Sequence, residues 1–317
     1  MSSTPSSQTT STSILAEELS RIVSEGRNPE TTHMDTLSTE EMLACINRED
    51  AKVAEAVKQA IPAIAKAVDA ATSSLKKGGR LIYLGAGTSG RLGILDAVEC
   101  RPTFSVPDSM VIGVIAGGEP AIQHAVEGAE DNQLAGEEDL ASLTLTKDDT
   151  VIGLSASGRT PYVCGGLRYA RQLGCSTAAI ACSPNAVMFS HADIAICPLV
   201  GPEALTGSTR MKSGTAQKMI LNMISTATMV KLGKTYENLM VDVKATNAKL
   251  KARAKRIVMQ ATQCTEELAA ETLSAADNNA KLAILMILTN TDVDTARKHL
   301  AESQGYLRGA IGQREIP

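Results

Sequence analysis

Five short apolar runs, spaced so that helical patterns fit between them, constrain this chain more than any other feature. They are Arg80–Leu84, Met110–Ile115, Thr150–Leu154, Ser176–Ala181 and Asp193–Cys197. Helix-like stretches follow the first three, from Gly90, over Pro120–Gly128 and over Pro161–Leu173. Runs that are apolar on both faces and alternate with helices predict strands covered from both sides. The fold class is therefore α/β: an open, mostly parallel five-stranded sheet with helices on both faces. The core must be aliphatic, because the chain has no Trp, two Phe and five Tyr. That composition offers few platforms for base stacking, and the net charge of −4 lacks the basic footprint of a nucleic-acid binder.

The flanks are simpler. Ten of the first 13 residues are Ser or Thr, a composition that predicts a disordered tail over 1–13. A helix is expected over Ile14–Ser24, then an ordered polar loop over Glu25–Asp35, punctuated by Asn28-Pro29. Ser38-Thr-Glu-Glu41 reads as a capping box opening a helix with Leu43 and Ile46 on one face. From Arg48 to Lys77 an Ala-rich stretch carries Val53, Val57, Ile61, Ile64 and Val68 at helical spacing, stopped by Gly78-Gly79. Lys212–Leu232 predicts a long helix. Beyond Gly233 there is no strand-like run, only helical stretches at Val243–Thr262, Thr265–Ala275, Asn278–Asn290 and Asp292–Ala301. Thr265, Asp277-Asn-Asn and Thr291-Asp292 supply their N-cap chemistry. The expected domains are an N-terminal segment over 14–48, an α/β domain over 49–235 and a small all-helical domain over 236–317.

Seven scattered cysteines without a CxxC pair argue for a reducing compartment. No basic segment leads into an apolar run at the N-terminus, and Lys281–Asn290 is too short to span a bilayer. The expected location is cytoplasmic, with neither membrane nor nucleic acid as partner.

Two turns carry the chemistry. Gly85-Ala-Gly-Thr-Ser-Gly90 follows the first run and fits G-x-G-x-x-G, which alone suggests a dinucleotide site. The acidic residue that would bind a ribose is poorly matched by Glu119, and Thr88-Ser89 add hydroxyls where that motif has none. Ser155-Ala-Ser-Gly-Arg-Thr160 then repeats the arrangement after the third run, with Pro161 opening a helix. Backbone N–H groups and hydroxyls at a helix start make an anion site without a fixed cation. Two such turns at the carboxyl ends of strands in one sheet should face one crevice, which suits a sugar monophosphate better than a pyrophosphate. The plainer alternative makes these Ser and Thr residues simple helix caps. It explains either turn alone and explains both together less well.

With these residues in view, the chain resembles the sugar isomerase (SIS) domain family, and its etherase branch in particular. The matching segments are Glu25–Pro29, Leu84–Ala97, Ile115–Glu119 with His124–Asp131, Ala156–Tyr162, Thr206–Lys218 and Asn238–Asp242. The resemblance runs from about residue 22 to near the C-terminus and implies a flavodoxin-like SIS sandwich. It also implies cleavage of a D-lactyl ether at C3 of a phosphorylated amino sugar. In the open-chain aldehyde the C2 proton is removable, so lactate can be eliminated and water added back, with one base and one acid. By the family pattern Glu99 is the proton donor and Glu130 the second catalytic group. Residue types alone would leave Glu127 and Asp131 equally plausible. Carried over for substrate and phosphate binding are Ser89, Ser155, Ser157 and Thr160, with the backbones of Gly87 and Gly158 shaping the turns. Arg159 and Arg210 could add charge or pair with surface carboxylates. His33, His124 and Glu203 are weaker candidates for the site, and Met219, Met223 and Met229 read as core packing. No metal or nucleotide cofactor is implied, and the family suggests a homodimer. An aldose–ketose isomerase and a non-catalytic sugar-phosphate sensor remain the competing readings, with a dinucleotide-dependent oxidoreductase a distant third.

Overall fold

The computed structural model describes residues 23–242 and 248–312. The tail expected over 1–13 and most of the helix expected over Ile14–Ser24 lie outside them. Two compact units are present: the described residues of Met1–Asp96 with Ile112–Ile224, and those of Ala97–Val111 with Ser225–Pro317.

The first unit is the α/β sheet. Its strands are β1 (Leu81–Gly85), β2 (Val111–Ile115), β3 (Thr150–Leu154), β4 (Ser176–Ile180) and β5 (Ile194–Ile196), in the order β2-β1-β3-β4-β5. All five expected runs are strands. β1 pairs parallel with β3 from Leu81 opposite Thr150 to Gly85 opposite Leu154, and β3 and β4 continue the parallel register. β1 and β3 are buried along their whole lengths, as strands covered on both faces must be. Arg80 and Asp149 brace the starts of these two strands. The guanidinium makes a forked pair with the carboxylate at 3.0 and 2.8 Å, and Arg80 N–H donates to the same group at 2.8 Å.

The helices of this unit follow the sequence closely, with instructive departures. The capping box is present: Ser38 and Glu41 satisfy one another's backbone N–H at the start of α1 (Thr39–Asp50). The Ala-rich stretch forms a separate helix, α2 (Val53–Lys76), which buries Val53, Val57, Ala60, Ile64 and Val68. Leu43 and Ile61, expected on apolar faces, are 60% and 47% exposed. The buried stripe of α2 runs through Ala60 instead. After α3 (Gly87–Phe104), the helix expected over Pro120–Gly128 is cut to one turn, α4 (Pro120–Gln123). The Arg91 guanidinium takes the carbonyls of Ile122 and His124, and Gly128 turns left-handed at φ +76°, so the helix cannot propagate.

Glycines set the packing of α5 (Gln133–Ser142) on α6 (Pro161–Gln172). A Cβ at Gly136 would lie 2.0 Å from Tyr162 O, and one at Gly165 would lie 2.1 Å from Gln133 O. Backbone touches backbone there. Tyr162, wholly buried, donates its hydroxyl to Asp139 at 2.6 Å across the same junction.

In the second unit, α8 (Ala248–Thr262), α9 (Glu266–Ala275), α10 (Ala280–Thr289), α11 (Val293–Glu302) and α12 (Leu307–Gly312) enclose a core of Ile257, Val258, Leu273, Leu282, Leu285 and Leu307. Thr265, Asn279 and Asp292 cap as expected, each accepting from the backbone N–H three residues on. The sequence reading found no strand past Gly233. The structure has a two-residue antiparallel ladder, β6 (Thr235–Tyr236) with β7 (Leu239–Met240), too short to leave an apolar run in the sequence. Lys281 is buried beside it, donating to Gly233 O and pairing with Asp242 at 2.9 Å.

The Gly136 contact yields a test. Gly136→Ala forces two helix backbones apart, and overpacking of this kind costs about 1–3 kcal/mol. The midpoint of urea unfolding should fall accordingly, and an unchanged midpoint would show that the junction can relax.

Candidate functional site

The order β2-β1-β3 places the carboxyl ends of β1 and β3 side by side, so the turns after them meet. Between them lies a cavity of about 310 Å³ lined by Ala86, Gly87, Thr88 and Ser89 of the first turn and Leu154–Ser157 with Thr160 of the second. Glu25, Glu130 and Thr209 complete the wall.

Neither turn tolerates a larger residue at its tightest points. A Cβ at Gly85 would sit 2.7 Å from Gly90 N, and one at Gly90 would sit 2.6 Å from Ile115 Cγ1. Gly158 has φ +71°, and its Cβ would approach Ala186 Cβ to 2.2 Å. The second turn is an internally bonded cluster of hydroxyls. Ser155 Oγ lies 2.8 Å from Thr160 Oγ1 and 3.3 Å from Ser157 Oγ. It accepts Gly158 N–H at 3.0 Å, and Ser157 Oγ accepts Arg159 N–H at 3.3 Å. Each of these two oxygens thus accepts one backbone N–H, and the hydroxyls of Ser155, Ser157 and Thr160 form one cluster that can turn a hydrogen towards an anion.

Among the described residues no Lys, Arg or His lines this cavity. Its ionisable groups are the carboxylates Glu25 and Glu130. Glu130 stands on a single 3-10 turn, Ala129–Asp131, which the left-handed Gly128 sets against the first turn. The structure therefore brings together Gly87, Ser89, Glu130, Ser155, Ser157 and Thr160, with Gly158 shaping the second turn. Glu99 is exposed and does not line the cavity; it lies three turns beyond Gly87 on α3. Arg210 and His33 are exposed and are not part of the lining, and His124 belongs to a separate surface depression with Glu119 and Gln123. Among the described residues no cluster of His, Cys, Asp or Glu side chains is arranged to hold a metal ion.

Glu203 has a structural place. Wholly buried, it accepts the backbone N–H groups of Lys212 and Ser213 at 2.8 and 2.9 Å, and the Ser213 hydroxyl at 2.8 Å, at the start of α7 (Lys212–Lys231). It caps that helix and holds the loop carrying Thr209 against the cavity. Behind it the Lys212 ammonium, 1% exposed, pairs with Glu49 at 2.7 Å. Burial pushes the Glu49 carboxyl up, but hydrogen bonds from Lys212, Lys52 and Asn28 outweigh it and bring the pKa down to about 2. Asn28 also donates to Pro202 O at 3.2 Å, tying the Glu25–Asn28 segment to the same loop.

Sequence reasoning missed Glu25, Thr209, Lys212 and Glu49 as parts of this arrangement. Glu25 and Thr209 sat inside the quoted motifs, which was the available signal. The Glu49–Lys212 pair joins residues 163 apart, and nothing in the local pattern announces it.

Sequence comparisons bear on this site. The profile of the glucokinase regulatory protein N-terminal SIS domain matches residues 63–171, and that of the SIS domain matches residues 126–227. An N-acetylmuramic acid 6-phosphate etherase of Pseudoalteromonas atlantica is 60% identical over 301 residues, covering 95% of this chain and 98% of the relative. One of Pectobacterium atrosepticum is 62% identical over 293 residues, covering 92% and 97%. Among solved structures, a phosphoheptose isomerase of Francisella tularensis aligns with a TM-score of 0.48 at 17% identity, over 60% of this chain and all of that one.

The Glu49 carboxylate gives a pH prediction. Its folded pKa is depressed, so the stability it contributes is complete above about pH 4.5 and is lost as the pH falls towards 2. Glu49→Gln removes the partner of a buried ammonium, which costs about 3–5 kcal/mol at neutral pH. Thermal unfolding from pH 7 to 3 should show the variant losing less on acidification than the parent. Parallel profiles would assign the acid sensitivity to other carboxylates.

Proposed function

The chain belongs to the N-acetylmuramic acid 6-phosphate etherase family, and from that premise we propose that it cleaves the D-lactyl ether of N-acetylmuramic acid 6-phosphate. The products are N-acetylglucosamine 6-phosphate and D-lactate. The observation that carries this reading is the cation-free cavity in which two Ser/Gly turns face Glu130. Hydroxyls and N–H groups suit a monoester phosphate, and a carboxylate beside them suits proton transfer at the sugar carbons.

In the proposed sequence the phosphate rests on Ser89, Ser155, Ser157 and Thr160, with Gly87 and Gly158 letting the backbone approach. This fixes C2 and C3 of the open-chain aldehyde near Glu130. A carboxylate takes the C2 proton, which the adjacent carbonyl acidifies, and the electron pair forms the C2–C3 double bond as the ether C–O bond breaks. A carboxylic acid protonates the departing lactate oxygen. Water then adds at C3, with the same group now acting as base and C2 regaining a proton. Glu99 is the proposed acid and Glu130 the second group.

Glu99 stands on an exposed face beside Leu95 and Val98, which are 51% and 63% exposed. We therefore assign a homodimer in which Glu99 of the partner subunit reaches the cavity. An apolar exposed stretch of this kind favours burial against a second copy. The seven free thiols suit a reducing, cytoplasmic setting for the cell-wall sugar recycling this reaction would serve. An isomerase would use the same phosphate turns, but identity near 60% along almost the whole chain lies with etherases.

Purified protein given N-acetylmuramic acid 6-phosphate should release D-lactate without added nucleotide; absence of release would end this reading. Glu130→Gln and Glu99→Gln should each lower kcat by about 100-fold or more while product binding persists. Full activity in either variant removes that residue from the reaction. Ser157→Ala should act on KM, raising it about fivefold or more.

A further inference from the structure

Ser89 differs from the hydroxyls of the second turn in what satisfies its oxygen. Ser155 and Ser157 each accept a backbone N–H, and their other hydroxyl contacts lie within the second turn. Ser89 Oγ, 9% exposed, instead pairs at 2.8 Å with the side-chain oxygen of Gln217 on α7. Drawn that way, Ser89 spends its one hydrogen on Gln217 and shows the cavity only lone pairs. A phosphate dianion has only acceptors to offer, so the two would repel.

Gln217 itself points to the resolution. It is 1% exposed, and its Nε2 has no hydrogen-bond partner among the described residues. A buried N–H left without an acceptor costs about 1–3 kcal/mol, and an under-used carbonyl oxygen is tolerated better. Oxygen and nitrogen of a side-chain amide occupy nearly the same places, so turning the amide over costs nothing in packing. Turned, Nε2 donates to Ser89 Oγ, and the serine hydrogen swings free to donate into the cavity. Ser89 then matches Ser155 and Ser157 in having its oxygen held by a protein N–H, and its own hydrogen is left for the ligand.

We propose that Gln217 is a positioning residue that donates its amide to Ser89 and so makes Ser89 a donor to the substrate phosphate. The proposal rests on the reading of Ser89 as a phosphate ligand, and the test separates the two. Affinity for N-acetylglucosamine 6-phosphate is measured by titration calorimetry for Gln217→Met, Gln217→Glu, Ser89→Ala and the Gln217→Met/Ser89→Ala pair. Methionine keeps the volume and removes the donor; glutamate can only accept, so it holds the serine hydrogen away from the ligand. Gln217→Glu should weaken binding about tenfold or more, and Gln217→Met by less. Because Gln217 acts through Ser89, the double variant should bind like Ser89→Ala alone.

Additive losses in the double variant would overturn the proposal, since a packing role would add to the loss at Ser89. So would binding by Gln217→Glu equal to that of the parent. Should Gln217→Met fail to fold, Gln217→Glu with Gln217→Glu/Ser89→Ala supplies the same comparison. If Ser89→Ala binds as tightly as the parent, the phosphate role of Ser89 itself falls, a different result from additivity.

Discussion

Two buried carboxylates at the first turn of α7 decide what kind of anion site this molecule can have. A helix start ordinarily offers free N–H groups and a positive dipole end to a ligand. Here Glu203 takes the N–H groups of Lys212 and Ser213, and Glu49 takes the Lys212 ammonium. The Lys212 charge is thus compensated inside the protein, where an unpaired ammonium would cost several kcal/mol. What the two Ser/Gly turns offer a ligand is neutral, hydroxyls and backbone N–H groups, beside the carboxylates Glu25 and Glu130. Such a site binds a phosphate through directed hydrogen bonds more than through net attraction, and the direction of each hydroxyl hydrogen becomes the quantity to control.

Strand order then supplies the geometry. β1 and β3 lie about 4.8 Å apart as sheet neighbours, although 64 residues of chain separate Gly85 from Thr150. Their following turns converge only because the connection through β2 places that strand on the outer side of β1. The glycines make the convergence tight. Gly85 against Gly90, and Gly158 against Ala181 and Ala186, bring the turn backbones closer than any side chain would allow.

Much of this was readable in the sequence, for a physical reason. Strands buried on both faces write themselves as apolar runs, and Ser38, Thr265, Asn279 and Asp292 sit at helix starts because their side chains bond three residues away. The turns were legible through the same locality. What was not legible depends on distant partners. The one-turn α4 is cut short by Arg91, some 30 residues earlier in the chain. Leu43 has a helical position but is left 60% exposed by the described residues. Glu203 looks like any surface glutamate until the α7 start folds onto it, and Gln217 gains meaning only from Ser89, 128 residues away. Glu99 and Glu130 belong to a third class, since no rule of spacing separates them from Glu127 or Asp131.

Binding and chemistry consequently sit on different kinds of structure. The groups proposed to bind phosphate follow two fully buried strands whose starts are braced by Arg80 and Asp149, so their positions are set by the core. The carboxylates stand on surface elements: Glu130 on a 3-10 turn behind a left-handed glycine, Glu99 on an outward face of α3. A sheet that fixes the phosphate fixes the sugar carbons at a set distance from it, whatever reaction follows. Moving one carboxylate on the surface then changes which carbon loses a proton without disturbing the anchor. Etherase and isomerase chemistry can therefore share this anchor and differ in the surface segments around it, which is why the Ser/Gly turns alone leave the reaction open and the proposed roles of Glu130 and Glu99 carry the choice.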